Sequence, residues 1–237
     1  MEIRNKFYTQ RFFATRLPVS DLFRAVTYTQ YEGSGKIPFW YKKIVGNTGT
    51  IDLTQDMDAI FSAMKSNTRN EIRRAEREGC VMTYDYDYES FIPFYNAFSA
   101  SKGLDENIDI GRLDKYDRTL ITSVMKDGVV LTMHATVVNK AESVAMLLYS
   151  GSQRLTEGSD RKLIGWANRY LHYKEFELFK GWGIERYEWD GICLDPEQKE
   201  KYNIGLFKTA FGGQVKECIN LRTPLFVLFK SIEKLIR

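Results

Sequence analysis

Six residues, Lys162-Leu-Ile-Gly165-Trp-Ala167, set a cation and two small residues at fixed offsets. A basic side chain, a glycine three positions on and an alanine two further let a helix N-terminus and its backbone N–H groups approach a pyrophosphate closely. Arg161 supplies a second cation and Asn168 a polar side chain beside it. This is the chemistry of a phosphate loop for an acyl-CoA such as acetyl-CoA, and equally the spacing of a helix start with a packing glycine. A second group, Gly205-Leu-Phe207-Lys208-Thr-Ala-Phe211-Gly212-Gly213, brackets one lysine with two phenylalanines a helical turn apart. A short helix here would bury both rings and hold an ammonium beside an aromatic face; a plain helix end with a solvated lysine has the same composition. A third, Arg69, Arg73 and Arg77 at i, i+4 and i+8, lines one helix face that could hold phosphates of RNA, a nucleotide-sugar or CoA. Glu71, Glu76 and Glu78 are interleaved with it, as on a solvated, salt-bridged face.

Other reactive residue types are read as structural. His134 lies in the middle of an apolar strand pattern and reads as a hydrogen-bonded core histidine, and His172, between Tyr170 and Tyr173, reads as packing. Cys193 has no histidine nearby to lower its pKa, so no nucleophile and base pair is expected. The three cysteines lack Cys-x-x-Cys spacing and the two histidines are far apart, so no metal site is expected and the chain reads as reduced and cytoplasmic.

The elements that must position these groups alternate in type. Residues 21–31 and 39–54 are rich in β-branched and aromatic residues, the second broken by Asn47 and Gly49, and read as an antiparallel beginning. Helical spacing follows from Asp56, with a second helix from Arg69 to Arg77. Thr68 and Glu71 suggest a capping box at its start, and Gly79 a C′ glycine at its end. A strand over 81–87 and helices over 88–102 and 111–126 come next. Residues 129–138 and 144–150 then form a buried hairpin, and a long helix from the Lys162 loop runs to Gly181 and Gly183. A strand at 184–192, a short helix at 204–210, a strand at 215–221 and an amphipathic segment at 225–235 complete the chain. The class is α+β, a mixed, mostly antiparallel sheet with helices on its faces, in one domain over 1–237.

Composition bounds the partners. The 237 residues are 43% hydrophobic, 27% charged and 14% aromatic, with net charge +3, a globular mixture with no overall basic excess. The charged N-terminus does not read as a secretory signal, and no run approaches the ~18 apolar residues that cross a bilayer.

The Lys162–Ala167 segment resembles the Arg/Gln-x-x-Gly-x-Gly/Ala motif of GNAT acyltransferases, and Phe207–Gly212 resembles the Phe-Lys-x-x-Phe-Gly signature of the FemAB-like aminoacyltransferases, GNAT-fold enzymes that add amino acids to peptidoglycan precursors. Thr68–Ala75 with Gly79 is similar to that family's Arg-x-x-Ile-x-x-Ala segment, and Gly165–His172 to the opening of its long helix. Tyr187-Glu188-Trp-Asp190-Gly191 looks like its Tyr-Asp-aromatic-x-Gly strand end, with Glu188 in the place of the Asp. The likeness runs from about residue 50 to 220. Bridge-forming members have two such domains, and this chain has room for one plus additions.

The resemblance implies a GNAT-like fold and transfer of an acyl or aminoacyl group to an amine by direct attack. Lys208 would stabilise charge near the transferred carbonyl or the donor's phosphates, and Phe207 would stack on the donor's adenine or sugar. Glu188 or Asp190 would take the proton from the amine. A main-chain N–H at the 147–151 strand end would be the oxyanion donor. Arg69, Arg73, Tyr149, Tyr187 and Phe211 are the expected substrate contacts. The implied donor is acyl-CoA, preferred on the Lys162 loop and the single-domain length, with aminoacyl-tRNA, on the Phe207 motif, as the alternative. The implied acceptor is an amino sugar on a nucleotide carrier or a peptidoglycan peptide. The rival is a binding module for a nucleotide-sugar, RNA or protein partner that kept the fold and lost the chemistry.

Overall fold

The computed structural model describes residues 1–104, 107–116, 119–155 and 158–236. In chain order its elements begin with β1 (Glu2–Arg4), β2 (Thr9–Phe12), a 3-10 turn at Val19–Phe23, β3 (Val26–Thr29), β4 (Lys42–Asp52), α1 (Met57–Ala63), α2 (Ser66–Arg77) and β5 (Val81–Asp85). They continue with α3 (Tyr88–Ser101), α4 (Ile110–Asp114), β6 (Thr119–Lys126), β7 (Val129–Asn139), β8 (Val144–Ser152) and α5 (Arg161–Gly181). The last are β9 (Arg186–Gly191), α6 (Lys199–Thr209), β10 (Gln214–Arg222) and α7 (Pro224–Ile236). Two compact units result: Met1–Thr48 with Lys216–Arg237, and Gly49–Val215.

The larger unit orders its strands β4-β9-β8-β7-β6-β5. Pairs β5–β6, β6–β7 and β7–β8 are antiparallel and β8–β9 is parallel. Strand alternation sorts the two cores. Leu120 and Val124 of β6 join Leu171, Phe176 and Phe179 of α5 and Ile72 and Ala75 of α2, whereas Ile121 of β6 and Met133 and Ala135 of β7 join Phe91 and Tyr95 of α3. Helices therefore cover both faces, as the α+β reading expects.

Four sequence expectations are corrected, three of them first. Residues 119–126, expected in a helix over 111–126, form β6, because Thr119 to Val124 are buried on both faces and carry the β-branched side chains that suit a central strand. Asn47 and Gly49 do not make a turn: β4 runs unbroken through them. Gly49 is small because Ile192 presses on it, its Cδ1 only 2.3 Å from where a Cβ would stand. Thr68 is buried inside α2 and does not cap it; the helix begins at Ser66, after Lys65. Its other end matches expectation: Gly79 takes φ +77°, with Gly79 N–H bonded to Glu76 O and Cys80 N–H to Ala75 O, a Schellman closure.

In the smaller unit the order is β1-β2-β3-β10, with β2–β3 parallel and the other pairs antiparallel. Val26, Tyr28, Tyr31, Tyr41 and Leu221 form its core. The sequence expectation of one strand over 21–31 resolves into the 3-10 turn followed by the shorter β3.

Candidate functional site

The larger unit opens where its parallel pair parts. β8 and β9 are in register from Val144 opposite Arg186 to Met146 opposite Glu188, while β8 continues to Ser152 and β9 to Gly191. Just past the parting, β8 carries a bulge: Leu147 faces Thr136 and Tyr149 faces Ala135, which leaves Leu148 as the extra residue. A bulge re-aims backbone groups out of the ladder. It falls within the 147–151 stretch that the family resemblance assigns to an oxyanion donor.

Lys208 sits at the end of β9. From α6 it donates Nζ–H to the carbonyls of Trp189, at 2.7 Å, and Gly191, at 2.9 Å. An ammonium has three N–H groups, so one remains for another acceptor. Burial pulls the Lys208 pKa down, and the charges of Asp190 and Glu188 push it back up. Glu188 is fully buried, whereas Asp190 is exposed and holds φ 59°, a left-handed value uncommon for a residue with a side chain. Gly205 lets α6 lie this close: a Cβ there would stand 2.6 Å from the carbonyl oxygen of Cys193, just beyond β9. The motif thus brings Lys208, Glu188 and Asp190 together.

Behind this strand end lies a polar network that the sequence reading did not single out. Glu175 of α5 is fully buried and accepts three hydrogen bonds, with a fourth polar group in ion-pair range. Its Oε1 receives Thr122 Oγ1–H at 2.6 Å and His134 Nδ1 at 3.0 Å, and its Oε2 receives Tyr187 O–H at 3.0 Å and lies 3.3 Å from His172 Nδ1, which also meets Tyr187 Oη at 3.3 Å. His134 Nε2 meets Asn168 Oδ1 at 2.9 Å, and Thr132 joins Asn168 at 3.0 Å and the carbonyl of Gly151 at 2.9 Å. The ligand atoms of His134, His172 and Glu175 lie within 4.8 Å of one another, and His134 Nδ1 and both Glu175 oxygens are engaged in these hydrogen bonds. Burial pushes the Glu175 carboxyl up, yet the His134 charge and the bonds from both histidines hold it well below the usual range. His172 rests against Trp189 at 4.6 Å, Phe207 at 5.6 Å and Phe211 at 5.4 Å between ring centroids. Burial first, then the His134 charge, lowers its pKa to about 3.

That depressed value fixes the sign of a pH effect. An unfolded His172 takes up a proton near its ordinary pKa of about 6.5, whereas the folded protein resists until about 3. Between those values the unfolded state binds more protons, so stability falls as pH falls, by at most ~1.4 kcal/mol per pH unit from this group. Denaturant midpoints at pH 7, 5 and 4 are expected to fall more steeply for the wild type than for His172→Phe, whose ring suits the aromatic surroundings.

The other expected site residues divide by burial. Tyr187 and Phe211 are enclosed in the core, so they support the strand end from behind and are not open to a substrate. Ala167 is likewise buried. Tyr149 is half-buried on the α3 side, 5.0 Å from Tyr95. Phe207 is half-buried, with the Arg169 guanidinium 4.9 Å over its ring; Arg169 also pairs with Glu71 at 2.9 Å. Arg69 donates to the carbonyls of Ser62, at 3.0 Å, and Met64, closing the end of α1, and Arg73 lies 5.0 Å over the Phe61 ring. Arg161 and Lys162 are exposed. At the start of α5 the Asp160 carboxylate accepts Lys162 N–H at 2.9 Å and Leu163 N–H at 3.1 Å, so a phosphate using those groups must displace it.

Beyond its chain neighbours and the backbone of its own helix, nothing lies within 4 Å of the place a Cβ on Gly165 would take. Gly165→Ala is therefore expected to stabilise α5 by about 0.5–1 kcal/mol, read from thermal unfolding. If a donor comes close to that backbone, the same change weakens donor binding.

No protein-family model matches the sequence, and no curated protein sequence does. Solved structures do. FemX superposes with a TM-score of 0.70 at 13% identity, over 95% of this chain and 83% of FemX. L-PGS from Bacillus licheniformis gives 0.58 at 12% identity, over 86% of this chain and 69% of its own. The C-terminal domain of a protein named as a lysylphosphatidylglycerol synthetase, from Agrobacterium fabrum, gives 0.57 at 12%, over 88% and 72%. At these identities the likeness is one of fold, and the chain has a FemX-like fold, as the resemblance of its motifs between residues 50 and 220 implied.

Proposed function

We propose that the larger unit is an acyltransferase that moves an acyl or aminoacyl group to an amine by direct attack at the parting of β8 and β9. The observation that carries it is the convergence of Lys208, Glu188 and Asp190 at the end of β9, beside strands that separate after Met146 and Glu188. The amine nitrogen attacks the carbonyl carbon of an ester or thioester. A C–N bond forms, the C–O or C–S bond breaks, and the leaving oxygen or sulfur takes up a proton. The free N–H of Lys208 and the backbone at Leu148 stabilise the oxyanion. Asp190, the exposed acid, accepts the proton released by the amine, and Glu188, enclosed, offsets the charge of Lys208.

Two donors fit this chemistry. Aminoacyl-tRNA is favoured over acyl-CoA by the Asp160 side chain, which occupies the helix N–H groups a CoA pyrophosphate would need. The FemAB-like resemblance of the Phe207–Gly212 motif agrees with that preference. The acceptor, on the FemAB-like resemblance, is an amino sugar on a nucleotide carrier or a peptidoglycan peptide. The test is to incubate the protein with labelled aminoacyl-tRNA or acetyl-CoA and each acceptor class, and to look for the amide by mass spectrometry. An amide whose formation requires the protein supports the proposal. Binding of a nucleotide-sugar or RNA with no amide from either donor would favour the rival, a binding module that lost the chemistry.

A further inference from the structure

We propose that the outward face of α7, with the 3-10 turn Val19–Phe23 beside it, docks the smaller unit on an anionic phospholipid surface. Phe226 of α7 is buried, and Val227 and Phe229 are half-buried. The opposite side shows Leu225, Leu228 and Ile232 to solvent, at 43%, 55% and 47% exposure. Spaced i, i+3 and i+7, these three form one stripe along the helix. The stripe does not stand alone. α7 packs on the 3-10 turn, where Val19 and Phe23 are 78% and 74% exposed, and Phe229 meets the exposed Phe7 at 5.6 Å. Exposed apolar side chains gathered on neighbouring elements in this way mark an interaction site.

Charge selects the partner. The smaller unit carries thirteen Lys and Arg against five Asp and Glu, a net +8, whereas the larger carries twenty-one against twenty-six, a net −5. Exposed Arg16 and Arg24 flank the 3-10 turn, and Lys6 lies 5.2 Å over the Phe7 ring. Cations around an apolar helix face suit anionic headgroups over acyl chains, each cation contributing about 1 kcal/mol near the surface. A second copy of the same +8 surface would be repelled. RNA would use the charge, but leucine and isoleucine give bases no ring to stack on. No described helix is long and apolar enough to cross a membrane, so the contact is one that lies on the surface.

No residue of the proposed transfer site belongs to this surface, so the two proposals stand or fall separately. The full chain should float with vesicles of phosphatidylcholine containing about a third phosphatidylglycerol at about 0.1 M salt. It should not float with phosphatidylcholine alone, and high salt should weaken the binding. The double change Leu228→Glu and Ile232→Glu, on exposed positions, should reduce binding about tenfold or more with unchanged circular dichroism. Ser231→Trp, on the same exposed side, should strengthen it. Absence of binding to the anionic vesicles, or equal binding by the double variant, would overturn the proposal. So would a dimer that the double variant dissociates, or a tRNA complex that it abolishes while vesicles never bind.

Discussion

Replacing Glu175 by leucine should lower the unfolding free energy by about 3–5 kcal/mol, the usual cost of removing one partner from a buried charged network. The leucine fills similar space but strands the hydroxyls of Thr122 and Tyr187 and the ring nitrogens of His134 and His172, all of which face the carboxylate. For a chain of this size that amounts to a fall in Tm on the order of 10 °C. Glu175→Gln keeps one acceptor oxygen and should cost less. A Tm within 2–3 °C of the wild type for the leucine variant, by calorimetry, would mean that the network adds little to stability.

That network also shows what the sequence leaves implicit. His134 reads correctly as a hydrogen-bonded core residue from its apolar strand, but nothing local says which partner it meets. Glu175 lies three residues after His172 and seven after Asn168, on the α5 face that also carries Leu171 and Phe179. An acid at a buried helical position near a histidine was the available signal. The hairpin of β7 and β8, the long α5 and the closure at Gly79 are legible because each follows from local pattern and turn chemistry. β6 was not, because a strand buried on both faces lacks the two-residue alternation that separates it from a buried helix. At the candidate site, the Phe207–Gly213 motif named Lys208, but its contacts with the end of β9 are long-range. The parting of β8 and β9 and the bulge at Leu148 depend on strand pairing that no single segment encodes. Gly49 illustrates the opposite error: a glycine taken as a turn is small because Ile192 packs on it.

Lys208→Ala should lower the rate of transfer by about 10²–10³, the usual effect of removing one donor to a developing oxyanion. The lysine also ties α6 to β9 through two carbonyls, so some loss of stability is expected, and the rate must be compared well below the variant's Tm. Lys208→Arg keeps the charge with a different fork and should recover part of the rate. Asp190→Asn should lower the rate, since the amide cannot accept the amine's proton. Unchanged turnover in Lys208→Ala would remove this residue from the reaction and leave it as a structural tie.

Donor binding tests the central claim most directly. Thermal unfolding of the wild type and of Lys208→Ala with acetyl-CoA, longer acyl-CoAs, and uncharged or aminoacylated tRNA reads it in a single format. A donor at a hundred times its Kd adds about 2.7 kcal/mol, enough to raise Tm by about 5–10 °C in a protein of this size. A transfer site at the end of β9 should give such a shift with aminoacyl-tRNA or a CoA thioester, reduced in Lys208→Ala. No shift with any of these donors would contradict it.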